Sequence, residues 1–131
     1  MNTSPRTSPS SRRLTVERVP LVITTRSTSP RTVVITAVGE VDMASAPVLW
    51  KCLHEEIRPR GPDLVADLSE ISFFSAAGLT TLAKARSGAA AAGIRFSVVA
   101  GPGAVSAMLR TTGMLSVIDL RTEHRDVPTW N

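Results

Sequence analysis

Hydrophobic residues recur along this chain with two different periods, and the alternation of these periods restricts the possible folds. Short β-branched or apolar runs over residues 21–25, 32–38, 64–68, 94–99 and 117–120 have the length and composition of strands. Segments with helical spacing separate the later runs. The sequence therefore predicts a single α/β domain with the order β-β-α-β-α-β-α-β. In that order an opening hairpin precedes a mostly parallel, mixed sheet with right-handed crossovers.

Three segments have the apolar spacing of helices. The first begins near Ser45, which is the expected N-terminal cap, and Pro47 suits its first turn because proline lacks the N–H group. The second is expected over residues 76–92 and the third over residues 105–112. A glycine follows each of the last two helices, as is typical of helix C-termini.

Charge is unevenly distributed along the chain. The formal net charge is +4, and residues 1–20 hold four arginines and one glutamate, which leaves the rest nearly neutral. We expect residues 1–20 to be a disordered basic tail rich in Ser, Thr and Pro, residues 21–121 to form the domain and residues 122–131 to form a short tail. A basic groove on the folded surface is missing from this pattern, so direct nucleic-acid binding is not expected.

Nothing in the sequence predicts a membrane-bound or exported protein. No apolar run approaches the roughly 18 residues that cross a bilayer. Arg12-Arg13 resembles the start of an export signal, but Glu17, Arg18 and Pro20 interrupt the apolar stretch that must follow. We therefore expect a cytoplasmic protein without a membrane partner.

The residue types that carry catalysis or bind metals are sparse. Cys52, the single cysteine, shares an apolar helix face, so an inert thiol is favoured over a catalytic one. Gly101-Pro102-Gly103 resembles part of a dinucleotide fingerprint, but Ser106 replaces its third glycine and the second half of that fold is missing. A phosphoacceptor receiver domain would need a lysine after a late strand, and no lysine follows one in this sequence. We expect no enzyme activity, catalytic residue, cofactor or metal.

Three segments in a fixed order resemble the STAS family, the fold of bacterial anti-sigma-factor antagonists. They are Gly39-Glu40-Val41-Asp42 with Ser45-Ala46, the stretch from Asp67 to Leu79 that reads DLSEISFFSAAGL, and Leu109-Arg110-Thr111-Thr112-Gly113-Met114. Together they span most of residues 21–121. The resemblance implies a protein that binds a kinase-type anti-sigma factor and so frees a sigma factor, as a monomer or a weak homodimer.

The resemblance also implies a partner-binding loop before the second helix. The residues expected to form it are Asp42, Ser45, Phe74, Ser75, Ala76, Ala77, Gly78 and Leu79. In the family, a hydroxyl residue in this loop is phosphorylated by the partner, and Ala77 occupies that position here. Because alanine has no oxygen, the family's phosphorylation switch is expected to be lost.

Several roles within this loop stay open at the level of sequence. Ser75 is either the N-cap of the second helix, with its oxygen accepting from Ala77 or Gly78, or a substitute phosphoacceptor. Asp42 is either a turn residue or part of the binding loop. Phe73 and Phe74 should point to opposite sides, one into the core.

Two other functions fit the same resemblance. A ligand-sensing STAS module would bind a nucleotide or another small anion at the second helix's N-terminus. A scaffolding module would bind another STAS protein.

Overall fold

The structure is a computed structural model that describes residues 20–122. Its strands are β1 (Val22–Ser29), β2 (Thr32–Val41), β3 (Asp63–Phe74), β4 (Phe96–Val99) and β5 (Asp119–Arg121). Its helices are α1 (Ala46–Glu56), α2 (Ala76–Ala92) and α3 (Ala104–Thr112), and a 3-10 turn spans Met114–Ser116. The element order predicted from the sequence is therefore confirmed. The predicted tails lie outside the described residues, apart from Pro20 and Thr122.

The five strands form one sheet in the order β1-β2-β3-β4-β5, so strands that follow one another along the chain are also neighbours. β1 pairs with β2 antiparallel, and the remaining pairs are parallel. Each parallel pair is joined through one helix. Right-handed crossovers that always step in the same direction place α1, α2 and α3 on the same face of the sheet.

The main core lies between that face and the three helices. Leu49 and Leu53 of α1, Leu82 of α2 and Leu109 of α3 are completely buried there, against the alternate residues of the strands. A smaller buried cluster of Val34, Val65 and Val99 belongs to the opposite face. Burying one large aliphatic side chain stabilises the folded state by about 1.5–3 kcal/mol. These leucines therefore contribute much of the free energy that holds the helices against the sheet.

All five strands have bounds that differ from the sequence-based prediction; β2 runs on to Val41 instead of ending at residue 38, and β4 begins at Phe96 instead of residue 94. β3 continues to Phe74 rather than ending at Leu68, because its parallel pairing with β2 persists through two irregularities and returns Ile71 and Phe74 to the core. Two polar residues inside this strand form hydrogen bonds with each other. The N–H and the Oγ of Ser69 donate to Oδ1 of Asp67 at 3.1 and 2.6 Å. β1 reaches Ser29, and β5 begins only at Asp119, after the 3-10 turn.

Gly39 lies where β2 bends, at one of the irregularities in its pairing with β3. Its φ of +124° belongs to a region that L-residues with side chains rarely adopt. A Cβ atom at this position would overlap the carbonyl oxygen of Pro20. Glycine is therefore required there by both backbone conformation and space.

Replacing Gly39 with alanine is expected to lower the free energy of unfolding by about 2–4 kcal/mol, from backbone strain and steric overlap together. Urea denaturation measures this change. Gly101→Ala is the matched control, because a Cβ atom there would meet nothing within 4 Å outside its chain neighbours and the φ of Gly101 is not positive. We expect that control to change stability by less than about 0.5 kcal/mol. Equal effects of the two substitutions would contradict this account of Gly39.

Candidate partner-binding site

The sequence-predicted site residues come together at the carboxyl ends of β2 and β3. Val41 and Phe74 are partners at the end of this parallel pair, and the N–H of Ser75 donates to the carbonyl oxygen of Val41 at 2.9 Å. This bond fixes Ser75 and the first turn of α2, residues 76–78, beside the turn that leads from β2 into α1, and we call residues 75–78 together the 75–78 loop. The structure therefore brings the Asp42–Ser45 turn and the 75–78 loop to one edge of the sheet.

The turn before α1 is closed by its own polar side chains. Oδ1 of Asp42 accepts from the N–H groups of Ala44 and Ser45 at 2.9 and 2.8 Å. Oγ of Ser45 in turn accepts from the N–H of Asp42 at 2.9 Å and lies 3.0 Å from the carbonyl oxygen of Glu40. Asp42 is thus a turn residue, as one of its two predicted roles required.

Ser45 occupies the N-cap position of α1 but makes no side-chain bond to the helix, which corrects its predicted capping role. Its backbone conformation is helical, with φ of −94° and ψ of −19°, whereas a capping serine is usually extended. The side chain consequently points back towards the turn. The helix entry is held instead by the bond from the N–H of Ala46 to the carbonyl oxygen of Asp42, at 2.8 Å.

Ser75 occupies the N-cap position of α2, and its predicted capping bond is also missing. Its backbone is extended, and its carbonyl oxygen accepts from the N–H of Leu79 at 3.1 Å. Its Oγ is buried and has no hydrogen-bond partner. α2 therefore begins at Ala76 without side-chain capping and without an acidic residue in its first turn.

The two adjacent phenylalanines point in opposite directions, as predicted. Phe74 is only 4% exposed, so its predicted place in the partner-binding surface is wrong, whereas Phe73 is 49% exposed. The ring of Phe74 supports the first turn of α2: a Cβ atom at Gly78 would lie 2.6 Å from its Cε1. Phe74 and Gly78 thus shape the loop from inside rather than presenting side chains to a partner.

A groove between α1 and α2 continues from the 75–78 loop, and we call it the α1–α2 groove. Its volume near the loop is about 320 Å³. The lining residues there are Met43, Ala46, Pro47, Trp50, Ala77, Thr80, Thr81 and Lys84. Beyond Trp50 and Lys84, a second, mainly apolar concavity of about 550 Å³ extends to Leu79, Ala83, Ser87 and Met114.

Trp50 and Lys84 contact each other within the α1–α2 groove. Nζ of Lys84 lies 4.4 Å from the centre of the Trp50 ring, a cation–π arrangement. The ring of His54 also packs near this tryptophan, with 5.0 Å between the two ring centres. Trp50 is not among the residues that the sequence predicted for the site. The sequence signal that could have identified Trp50 is that it is a large aromatic residue on a predicted helix, at a position outside the apolar spacing of that helix.

The described residues contain no group of three or more His, Cys, Asp or Glu side chains that could hold a metal ion. Cys52 is half-buried, and burial, with a smaller contribution from Glu55, raises the pKa of its thiol. A raised pKa lowers the fraction of reactive thiolate at neutral pH. The α1–α2 groove itself offers shape, apolar area and the cation of Lys84.

No helix between residues 20 and 122 is long and apolar enough to cross a bilayer.

Comparison with known proteins gives concordant matches. The family model described as "Mlab, STAS domain" matches residues 24–120. An anti-sigma factor antagonist from Mycobacterium paratuberculosis is 26% identical, with a TM-score of 0.74 over 82% of this chain and 90% of that one. No match was found among curated proteins.

Two further structures are similar in fold. The antagonist SpoIIAA in its unphosphorylated form is 16% identical, with a TM-score of 0.64 over 82% of this chain and 100% of that one. The phosphorylated form of the Bacillus cell fate determinant SpoIIAA is 15% identical, with a TM-score of 0.62 over 80% of this chain and 96% of that one.

The two serines at the helix entries are expected to respond oppositely to removal of their hydroxyl groups. Ser75→Ala should leave the free energy of unfolding unchanged or raise it by up to about 1 kcal/mol, because it removes a buried hydroxyl without a partner. Ser45→Ala should lower it by about 1–2 kcal/mol, because it breaks the closed turn. Chemical denaturation measures both values. A larger loss at Ser75 than at Ser45 would show that the hydroxyl of Ser75 does have a stabilising partner.

Proposed function

The chain belongs to the STAS domain family, and from this we propose that it is an anti-sigma-factor antagonist, a binding protein that frees a sigma factor by occupying a kinase-type anti-sigma factor. The observation that carries this proposal is the likeness to the mycobacterial antagonist, at 26% identity and over most of both chains. The lower-identity matches support the fold alone. We place this activity in the cytoplasm and assign no catalytic step to the protein.

We assign the anti-sigma factor to the 75–78 loop and the adjoining α1–α2 groove. Ala77 belongs to both, because it lies in the loop and lines the groove. Met43 is 81% exposed at the groove's rim, and Trp50 lies within it. Aromatic and methionine side chains are enriched at the centres of protein interfaces, where they supply apolar contact area. Ala76 and Leu79 complete the contact surface around the first helical turn.

The proposed antagonist lacks the phosphorylation switch that the family resemblance implies. A phosphate at residue 77 would place roughly two negative charges at the edge of an apolar groove and so disfavour docking. Ala77 has no hydroxyl, and the hydroxyl of Ser75 is buried. We therefore propose that the protein is held permanently in the binding-competent state, and that its activity is set by its concentration or by another input.

Binding of an anti-sigma factor is expected to weaken about tenfold or more in Ala77→Glu, because the substitution places a charge and additional volume in the groove. Ala91→Glu is the matched control, since Ala91 is an exposed alanine at the other end of α2. Calorimetry with candidate anti-sigma factors measures both affinities, and melting curves check that the variants are folded.

Equal binding by both glutamate variants would place the contact elsewhere. Failure of the wild-type protein to bind any anti-sigma factor, while another antagonist from the same cell binds, would reject the proposed function. A stable complex with a second STAS protein, or a saturable thermal shift with one nucleotide, would then favour the scaffolding or ligand-sensing alternative.

Incubation with an anti-sigma kinase and ATP is expected to leave residues 75–78 unmodified in the wild-type protein. Ala77→Ser should restore phosphorylation, because it returns a hydroxyl to the position implied by the family pattern. Mass spectrometry of the peptide that contains the loop distinguishes the two proteins. Stoichiometric phosphate on Ser75 of the wild type would show that the acceptor has shifted rather than been lost.

A further inference from the structure

A separate cavity lies at the amino ends of the parallel strands, at the opposite end of the sheet from the 75–78 loop. There the β1–β2 turn meets the α1–β3 loop, and the N–H of Asp63 donates to the carbonyl oxygen of Arg31 at 2.8 Å. The cavity between them has a volume of about 280 Å³ and a mostly polar lining. Its lining residues are Pro30, Arg31, Arg60, Gly61, Pro62 and Asp63.

Arg60 is held in an unfavourable backbone conformation on the rim of this cavity. Its φ is +55°, and it is the only residue other than glycine with a positive φ between residues 20 and 122. Two bonds fix the loop in this shape: the N–H of Arg60 donates to the carbonyl oxygen of Ala92, and that of Gly61 to Arg58, each at 2.8 Å. Left-handed conformations of such residues concentrate at functional sites, where surrounding structure enforces them.

Two guanidinium groups at the cavity, those of Arg31 and Arg60, are available to bind a ligand. Arg31 and Arg60 are exposed, and neither forms an ion pair within the described part of the chain. The nearby Arg58, in contrast, is paired with Glu56 at 3.4 Å. The one carboxylate in the lining, Asp63, already accepts the N–H of Arg95 through Oδ1 at 2.8 Å. The balance of charge in the cavity therefore favours an anion.

We propose that this cavity, the Arg31–Arg60 pocket, binds a phosphate group, either inorganic phosphate or a phosphate monoester. Planar guanidinium groups donate pairs of hydrogen bonds that match phosphate oxygens. The backbone N–H groups of the rim are already engaged, including that of Arg31, which donates to Oγ of Ser29 at 3.2 Å. Affinity in this pocket consequently depends on the two side chains. This proposal does not rest on the proposed antagonist function.

Titration of the full chain with inorganic phosphate at constant ionic strength, followed by calorimetry or ³¹P NMR, is expected to show weak, saturable binding. Arg31→Ala and Arg60→Gly should each lower the affinity about tenfold, since each removes a charge-assisted contact. Arg58→Ala is the matched control on the same loop, and we expect its affinity to stay within about twofold of wild type.

Melting curves separate loss of binding from loss of structure. Arg60→Gly should melt at the same temperature as the wild type or a few degrees higher, because glycine adopts a φ of +55° without strain. A variant that is equally or more stable and yet binds phosphate less tightly would support the pocket directly. A lower melting temperature that accounts for the lost binding would overturn it.

Titrations with phenyl phosphate and with a phosphoserine peptide distinguish two sources of the group, a small metabolite and a modified protein. Binding of either probe that depends on Arg31 and Arg60 supports the pocket. Absence of saturable binding by all the probes, or an equal loss of affinity in Arg58→Ala, rejects it. Neither result bears on anti-sigma binding, which is assigned to the opposite end of the molecule.

Discussion

The parallel pairing of β2 with β3 is the interaction on which the core and the candidate site both depend. It runs from Thr32 and Asp63 to Val41 and Phe74, and the N–H of Ser75 extends it by one further bond. If this pairing ended at Leu68, Ile71 and Phe74 would not reach the core. The entry to α2 would then have no fixed position relative to α1, and the groove between these helices would lose its shape.

The turn before α1 uses its polar groups internally, and the adjoining α1–α2 groove exposes apolar side chains. Asp42 and Ser45 direct their hydrogen bonds into the turn that they form, and Phe74 supports the loop from beneath through its contact with Gly78. Met43 and Trp50 remain for a partner to contact. This division of roles leaves mainly shape and apolar area exposed at the α1–α2 groove.

The sequence predicted the helices and their bounds well, and the ends of the strands poorly. α2 was predicted over residues 76–92 because an apolar stripe ends at Gly93, and both signals are local. The end of β3 was predicted too early because the polar residues Ser69 and Glu70 interrupt its apolar run. Only the pairing with β2 shows that the strand continues past them.

Side-chain directions at the two helix entries required tertiary information. Ser45 was expected to cap α1, and Ser75 either to cap α2 or to accept a phosphate. The side chain of Ser45 instead bonds within its own turn, and that of Ser75 is enclosed without a partner. The left-handed conformation of Arg60 was equally inaccessible, because the neighbouring Gly61 would have been the expected residue for it.

The bare entry to α2 has a kinetic consequence. With neither a capping side chain nor an acidic residue, the first turn over Ala76 to Gly78 has no side-chain protection against fraying at its N-terminal end. Its amides should therefore exchange with solvent deuterium sooner than those around the buried Leu82. A molecule that binds this turn would order it further, and the entropy lost in that ordering would offset part of the association free energy.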